Sequence, residues 1–163
     1  MLDEHKIRKF LQDFRTHVES SWTYETASPK LQPAKNDPAS TGQCAPTSIL
    51  LLDALKKEFG HELKLKIALG KVLHSGSNKV AIEYHVWLQL YANKYQAPFV
   101  IDTTADQGTG INDEIIFEQN TELVISKNLI YLSYNLFSNP SELSQGAQKR
   151  TELLRQNIAS IDG

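Results

Sequence analysis

Thr41-Gly42-Gln43-Cys44-Ala45-Pro46-Thr47-Ser48-Ile49-Leu50-Leu51-Leu52 sets the one cysteine of the chain between a glycine-containing turn and an apolar run. The run continues through Leu55 to Phe59, becomes charged at Lys56, Lys57 and Glu58, and meets Gly60. This pattern predicts a helix over Ala45 to Phe59, apolar on most of its circumference and so packed on several sides, with Gly60 as its stop. It is the expected central helix. Pro46 is tolerated because its missing N–H costs nothing in a first helical turn. Cys44 then stands at the helix mouth, where unpaired backbone N–H groups bias a sulfur toward the nucleophilic thiolate.

Outward from this helix the hydrophobic period changes. Residues 3 to 20 carry Ile7, Phe10, Leu11, Phe14 and Val18 at spacings of three and four, the mark of an amphipathic helix. Pro29, Pro33 and Pro38 with Asn36 and Asp37 predict a surface loop that delivers the chain to Cys44. After Gly60, the segment Glu62 to Leu69 alternates polar and apolar, as a half-buried strand does, and Gly70 with Ser75 to Asn78 reads as turn punctuation. Val80 to Tyr91 alternates Ile82, Tyr84, Val86, Leu88 and Leu90 against Glu83, His85, Trp87 and Gln89, and Pro98 to Asp102 is a further strand. The short link Ala92 to Ala97 makes these two antiparallel neighbours. Thr103 to Gly110 reads as loop, Leu123 to Ser126 as a weak strand and Leu129 to Tyr134 as a short apolar run. A last helix is expected from Asn139-Pro140-Ser141, capped by Ser141 and carrying Leu143, Leu153, Leu154 and Ile158.

The expected fold is therefore α+β: one domain over residues 1–163 with a central helix packed on an antiparallel sheet, and terminal helices outside it. In chain order it offers a thiol at a helix start, a histidine on a strand and a carboxylate at the end of the adjacent strand. A thiol nucleophile needs a base, and the base needs a partner that fixes its tautomer and orientation. Cys44, His85 and Asp102 are the candidates, with His85 and Asp102 expected on one side of the hairpin at matched height. The competing readings are an inert buried cysteine, a strand histidine bonded to a carbonyl, and an aspartate that caps the Thr103-Thr104 turn. Gln43 is a candidate oxyanion donor or a turn residue, with the Cys44 backbone N–H as the alternative donor. Trp22 and Trp87 are candidate substrate contacts; the competing readings are that Trp22 anchors the approach loop and Trp87 packs against the central helix.

The order Gly42-Gln43-Cys44-Ala45-Pro46-Thr47-Ser48, then His85-Val86-Trp87, then Val100-Ile101-Asp102-Thr103-Thr104 resembles the transglutaminase-like branch of the papain-like cysteine enzymes. More narrowly it is similar to the small bacterial YunG-like family. There a Ser-Trp stretch precedes Gly-Gln-Cys with a Thr third after the Cys, then His-x-Trp and an Asp-Leu-Thr-like strand end. Ser21-Trp22, Thr47, His85-Val86-Trp87 and Asp102-Thr103-Thr104 stand at those places, within Ser20 to Gln107. The link Ala92 to Ala97 is longer than the family pattern. The resemblance implies a papain-like fold and a Cys-His-Asp site; it implies no substrate.

Bulk properties narrow the rest. Forty percent hydrophobic and 22% charged residues with a net charge of -2 give no electrostatic reason to expect nucleic acid or an anionic membrane as partner. One cysteine excludes an internal disulfide, and no Cys/His spacing suits zinc, so neither metal nor cofactor is expected. The stretch Met1 to Lys6 lacks the apolar core of a secretory signal, which makes the cytoplasm the expected location. The leading function is a cysteine hydrolase or acyltransferase acting on an amide or thioester of a peptide, protein or small molecule. Peptidase, amidase, deamidase and transglutaminase chemistry share its first half. The alternative is a non-catalytic binding or redox-regulatory module on the same fold, and a third reading is an effector deamidase.

Overall fold

The apolar run after Cys44 forms α2, Cys44–Phe59, in a computed structural model that describes residues 2–163 and leaves Met1 outside. Ile49, Leu51, Leu52 and Leu55 are buried against Val86, Leu88 and Leu90 of the sheet, and Ile7 and Leu11 of α1, Glu4–Glu19, close the same core. Asp3 caps α1 by accepting the Lys6 N–H at 3.1 Å. The last helix, α4, Gln145–Asp162, packs on α2; its Leu154 joins Val18 and Leu50 in a smaller cluster. Among the described residues no helix is long and apolar enough to cross a membrane.

Among the described residues, five strands make one antiparallel sheet in the order β4-β3-β2-β1-β5: β1 Leu65–His74, β2 Val80–Leu90, β3 Phe99–Asp102, β4 Ile116–Gln119 and β5 Leu129–Phe137. With the helices, this is an α+β arrangement. Residues of opposite parity on β2 point to opposite faces, so Trp87 leaves the α2 side. It joins a second cluster with Val100, Ile116, Tyr131 and Leu123, the last from α3, Asn120–Ser126. Trp87 therefore does not pack against the central helix.

Several local expectations shift for physical reasons. Gly70 does not end a strand; it continues β1, because a Cβ there would stand 1.9 Å from the Leu132 carbonyl oxygen of β5. Alternation along β2 is broken by a bulge: Gly70 pairs with His85 but Val72 pairs with Ile82, so β2 holds an extra residue. Ile82 thereby returns to the Trp87 side and Tyr84 is left exposed. Leu123 to Ser126 is helical, with only Leu123 of α3 buried. Asn139, not Ser141, caps a short 3-10 turn at Pro140–Glu142, and the long helix begins later, behind Ser144, whose hydroxyl accepts the Ala147 N–H at 3.1 Å.

Candidate active site

β3 ends at Asp102, and its register with β2 runs from Leu90↔Phe99 to Leu88↔Ile101. Continued by one residue, that register sets Asp102 opposite Trp87 and diagonal to His85, on one face of the sheet. The two side chains are therefore one step apart rather than level, a separation that a carboxylate and an imidazole span. His85 Nε2 and Asp102 Oδ2 lie 2.6 Å apart, and both residues are buried, at 0% and 1% exposure. The Trp87 ring stacks on His85 with centroids 5.8 Å apart and meets Tyr131 edge-on.

Asp102 is held by more than His85. Tyr131 of β5 donates its hydroxyl to Oδ2 at 2.6 Å, and the Thr104 backbone N–H donates to Oδ1 at 2.9 Å. The aspartate thus both orients the imidazole and caps the turn that follows it. Burial alone would raise the Asp102 carboxyl, but His85, then Tyr131 and Thr104, outweigh it and hold the group below the usual carboxylate range. For His85, burial acts downward, and the charge and hydrogen bond of Asp102 overcome it, with Cys44 adding to the rise; its pKa goes from 6.5 to about 10. Burial and the Asp102 charge push the Tyr131 hydroxyl well above 10, so it stays a donor.

Cys44, His85, Tyr84 and Leu69 line one cleft of about 440 Å³, which Lys30, Leu143 and Arg150 also border. Cys44 is 5% exposed. Because β3 has ended, the β2 flank beside His85 is open, and the turn before Cys44 and the segment after Asp102 meet there. Gly42 makes this approach possible: its φ is +78°, and a Cβ would stand 2.5 Å from the Leu31 carbonyl oxygen. Its N–H donates to Gln107 Oε1 at 3.1 Å, while Gln107 Nε2 donates to the Thr104 carbonyl at 3.0 Å and lies 3.3 Å from His85 Nδ1. These contacts fix which way the Gln107 amide points. An N–H aimed at Nδ1 favours a ring without a proton on that nitrogen, against the pull of Asp102.

The structure thus brings Cys44, His85 and Asp102 together and leaves three other candidates, Gln43, Trp22 and Trp87, outside the cleft. Gln43 is buried, with Oε1 accepting the Thr26 hydroxyl at 2.7 Å and Nε2 donating to the Thr23 carbonyl at 2.9 Å. It braces the approach loop and is no oxyanion donor. Trp22 donates Nε1 to Thr47 Oγ1 of α2 at 3.0 Å and lies beneath the Arg15 guanidinium, so it anchors the loop. Trp87 touches His85 and stays sealed from the cleft at 0% exposure.

Sequence reasoning missed Gln107, Tyr131 and Arg15. Arg15 of α1, 4% exposed, forms a two-pronged ion pair with Asp106 at 2.8 and 3.0 Å and donates to the Thr103 carbonyl at 2.9 Å, so it clamps the segment that leaves Asp102. Burial works against its charge, and the bonds to Asp106 and Glu19 outweigh that, leaving its pKa raised. Only the length of an arginine on the buried face of an amphipathic helix hinted at such a reach. Among the described residues no three His, Cys, Asp or Glu side chains converge to hold a metal ion. Comparison with protein-family models, curated proteins and solved structures gives no match.

Proposed function

We propose that the protein is a cysteine hydrolase or acyltransferase, a papain-like enzyme of the transglutaminase-like, YunG-like kind, acting on an amide or thioester. The observation that carries the reading is the buried 2.6 Å His85–Asp102 bond opening onto the cleft that holds Cys44 at a helix N-terminus. With Nε2 committed to Asp102, Nδ1 is the ring nitrogen that holds the proton given up by the thiol.

In the reaction, Cys44 Sγ attacks the carbonyl carbon as a thiolate whose proton His85 already holds, and Asp102 stabilises the imidazolium. The Cys44 backbone N–H, in the first turn of α2 and so without an intrahelical acceptor, supports the oxyanion. The tetrahedral species collapses with loss of the amine or thiol, which leaves with the proton from His85, and the acyl group remains on sulfur. Water, giving its proton to His85, then attacks the thioester; the C–S bond breaks, a carboxylic acid leaves and the thiolate–imidazolium pair is restored. An amine in place of water completes acyl transfer instead. An unpaired nucleophilic thiol needs reducing surroundings, which makes the cytoplasm the proposed setting.

Alkylation tests the reading. Iodoacetamide at mildly acidic pH should modify Cys44 at least about a hundredfold faster in the wild-type protein than in His85→Ala, the low end of what a positioned base contributes. Equal rates in the two proteins, both folded by circular dichroism, would count against the enzyme.

A further inference from the structure

Four arginines occur in the chain, and three of them have partners. Arg8 donates to the Phe117 carbonyl, Arg15 to Asp106 and Glu19, and Arg155 to Asp53. Arg150 differs. It lies at the cleft of Cys44, and its Nε is buried without a hydrogen-bond partner. Among the described residues no carboxylate is within ion-pair distance of its guanidinium. The side chain folds back along α4 toward the helix N-terminus, as long helical side chains do. It passes over Gly146, where a Cβ would stand 3.1 Å from Nη1. This course carries the guanidinium to the cleft wall that Ser144 and Ala147 form.

Leaving a partly buried guanidinium N–H unpaired costs free energy that an arriving anion would recover. The other charges at the cleft do not supply that anion. Glu142 uses Oε2 to accept the N–H groups of Ser138 and Asn139, at 3.1 and 3.0 Å. Lys30 is a second cation, with Nζ 5.9 Å from the centre of the Tyr84 ring. Burial lowers the pKa of Arg150 and the Cys44 charge acts the other way, so guanidinium and sulfur lie within electrostatic reach of each other. A group that binds Arg150 thus lies near the reacting carbonyl.

We infer that Arg150 is the substrate anchor of the cleft and that the acyl substrate is a small amide or thioester bearing a carboxylate beside its scissile carbonyl. The inference rests on Cys44 being the nucleophile proposed above. A planar guanidinium suits a carboxylate because it offers paired N–H donors in matching geometry. The cleft volume of about 440 Å³ suits a small molecule or the end of a peptide.

Two alkylating agents of nearly equal size separate anchoring from nucleophilicity. Iodoacetate and iodoacetamide deliver the same carbon to sulfur, but only iodoacetate carries a carboxylate. The ratio of their rates at Cys44, read by mass spectrometry, should exceed that of a neutral model thiol such as N-acetylcysteine amide. In Arg150→Gln the ratio should fall about tenfold, the value of one charge-assisted hydrogen bond, and Arg150→Lys should recover part of it. An unchanged ratio in Arg150→Gln overturns the inference. So does slowing of both reagents in equal proportion, which would mean that Arg150 serves only the sulfur. Failure of the nucleophile itself shows separately, as a wild-type iodoacetamide rate no faster than that of His85→Ala, whatever the ratio.

Discussion

Raising the pH across the range in which His85 differs between the folded and unfolded chain should remove a large share of the protein's stability. The imidazole keeps its proton up to about 10 in the fold, against 6.5 ordinarily. Between those values the folded chain binds more protons than the unfolded one. The pair's contribution is therefore complete below 6.5 and is lost as pH rises through about 10. Each pH unit across that interval is worth about 1.4 kcal/mol, so the whole interval amounts to about 5 kcal/mol. That is a third or more of the roughly 5–15 kcal/mol that holds a typical domain together. Urea unfolding of the wild-type protein and of His85→Gln, from about pH 6 to about pH 10, measures it, because contributions from groups remote from His85 are common to both and cancel. The wild-type curve should fall relative to the variant by an amount of this order, and Asp102→Asn should flatten it. Parallel curves for wild type and His85→Gln would refute the account of the pair.

Other perturbations probe the groups around it. Tyr131→Phe removes the hydroxyl that donates to Asp102 at 2.6 Å and keeps the aromatic packing; a loss of about 2 kcal/mol in urea unfolding is expected for a buried bond to a charged group. Arg15→Met strands Asp106 and the Thr103 carbonyl, and thermal unfolding should show a loss of about 3 kcal/mol, since breaking a buried pair leaves a charge uncompensated. Gly42→Ala forces a Cβ onto the Leu31 carbonyl at a positive φ. It should cost about 1–2 kcal/mol for the backbone alone and slow Cys44 alkylation by displacing the turn.

The chain order of the candidate site was legible because its residues sit where local patterns are strongest. Cys44 follows a glycine and precedes an apolar helix, and His85 and Asp102 lie on strands with clear alternation and a short link. Their diagonal offset was not legible, because it depends on the residue at which the Tyr91–Pro98 link lets β3 start pairing. The run Leu123 to Ser126 contains β-branched Val124 and Ile125 and is too short to show a period, so by itself it reads as a weak strand; in the fold only Leu123 of α3 is buried, and the segment coils into that helix over the Trp87 cluster. β4 is four residues long, too short for a pattern. Ser141 and Ser144 are equally good caps by residue type, and Pro140 made the earlier one look like a helix start. Gln107, Tyr131, Arg15 and Arg150 were illegible for another reason. Each reaches the site across tertiary distance, as with Tyr131 meeting Asp102 from the far edge strand.

The central claim is that Cys44, served by His85 and Asp102, accepts an acyl group. Intact-mass analysis after mixing with an activated acyl ester or thioester that carries a carboxylate measures this directly. The account predicts one acyl adduct, mapped to Cys44, that decays in water and re-forms while reagent remains, and that is absent from Cys44→Ala and His85→Ala. A native protein that takes up no acyl group, while the same chain in denaturant is acylated at Cys44, would contradict it.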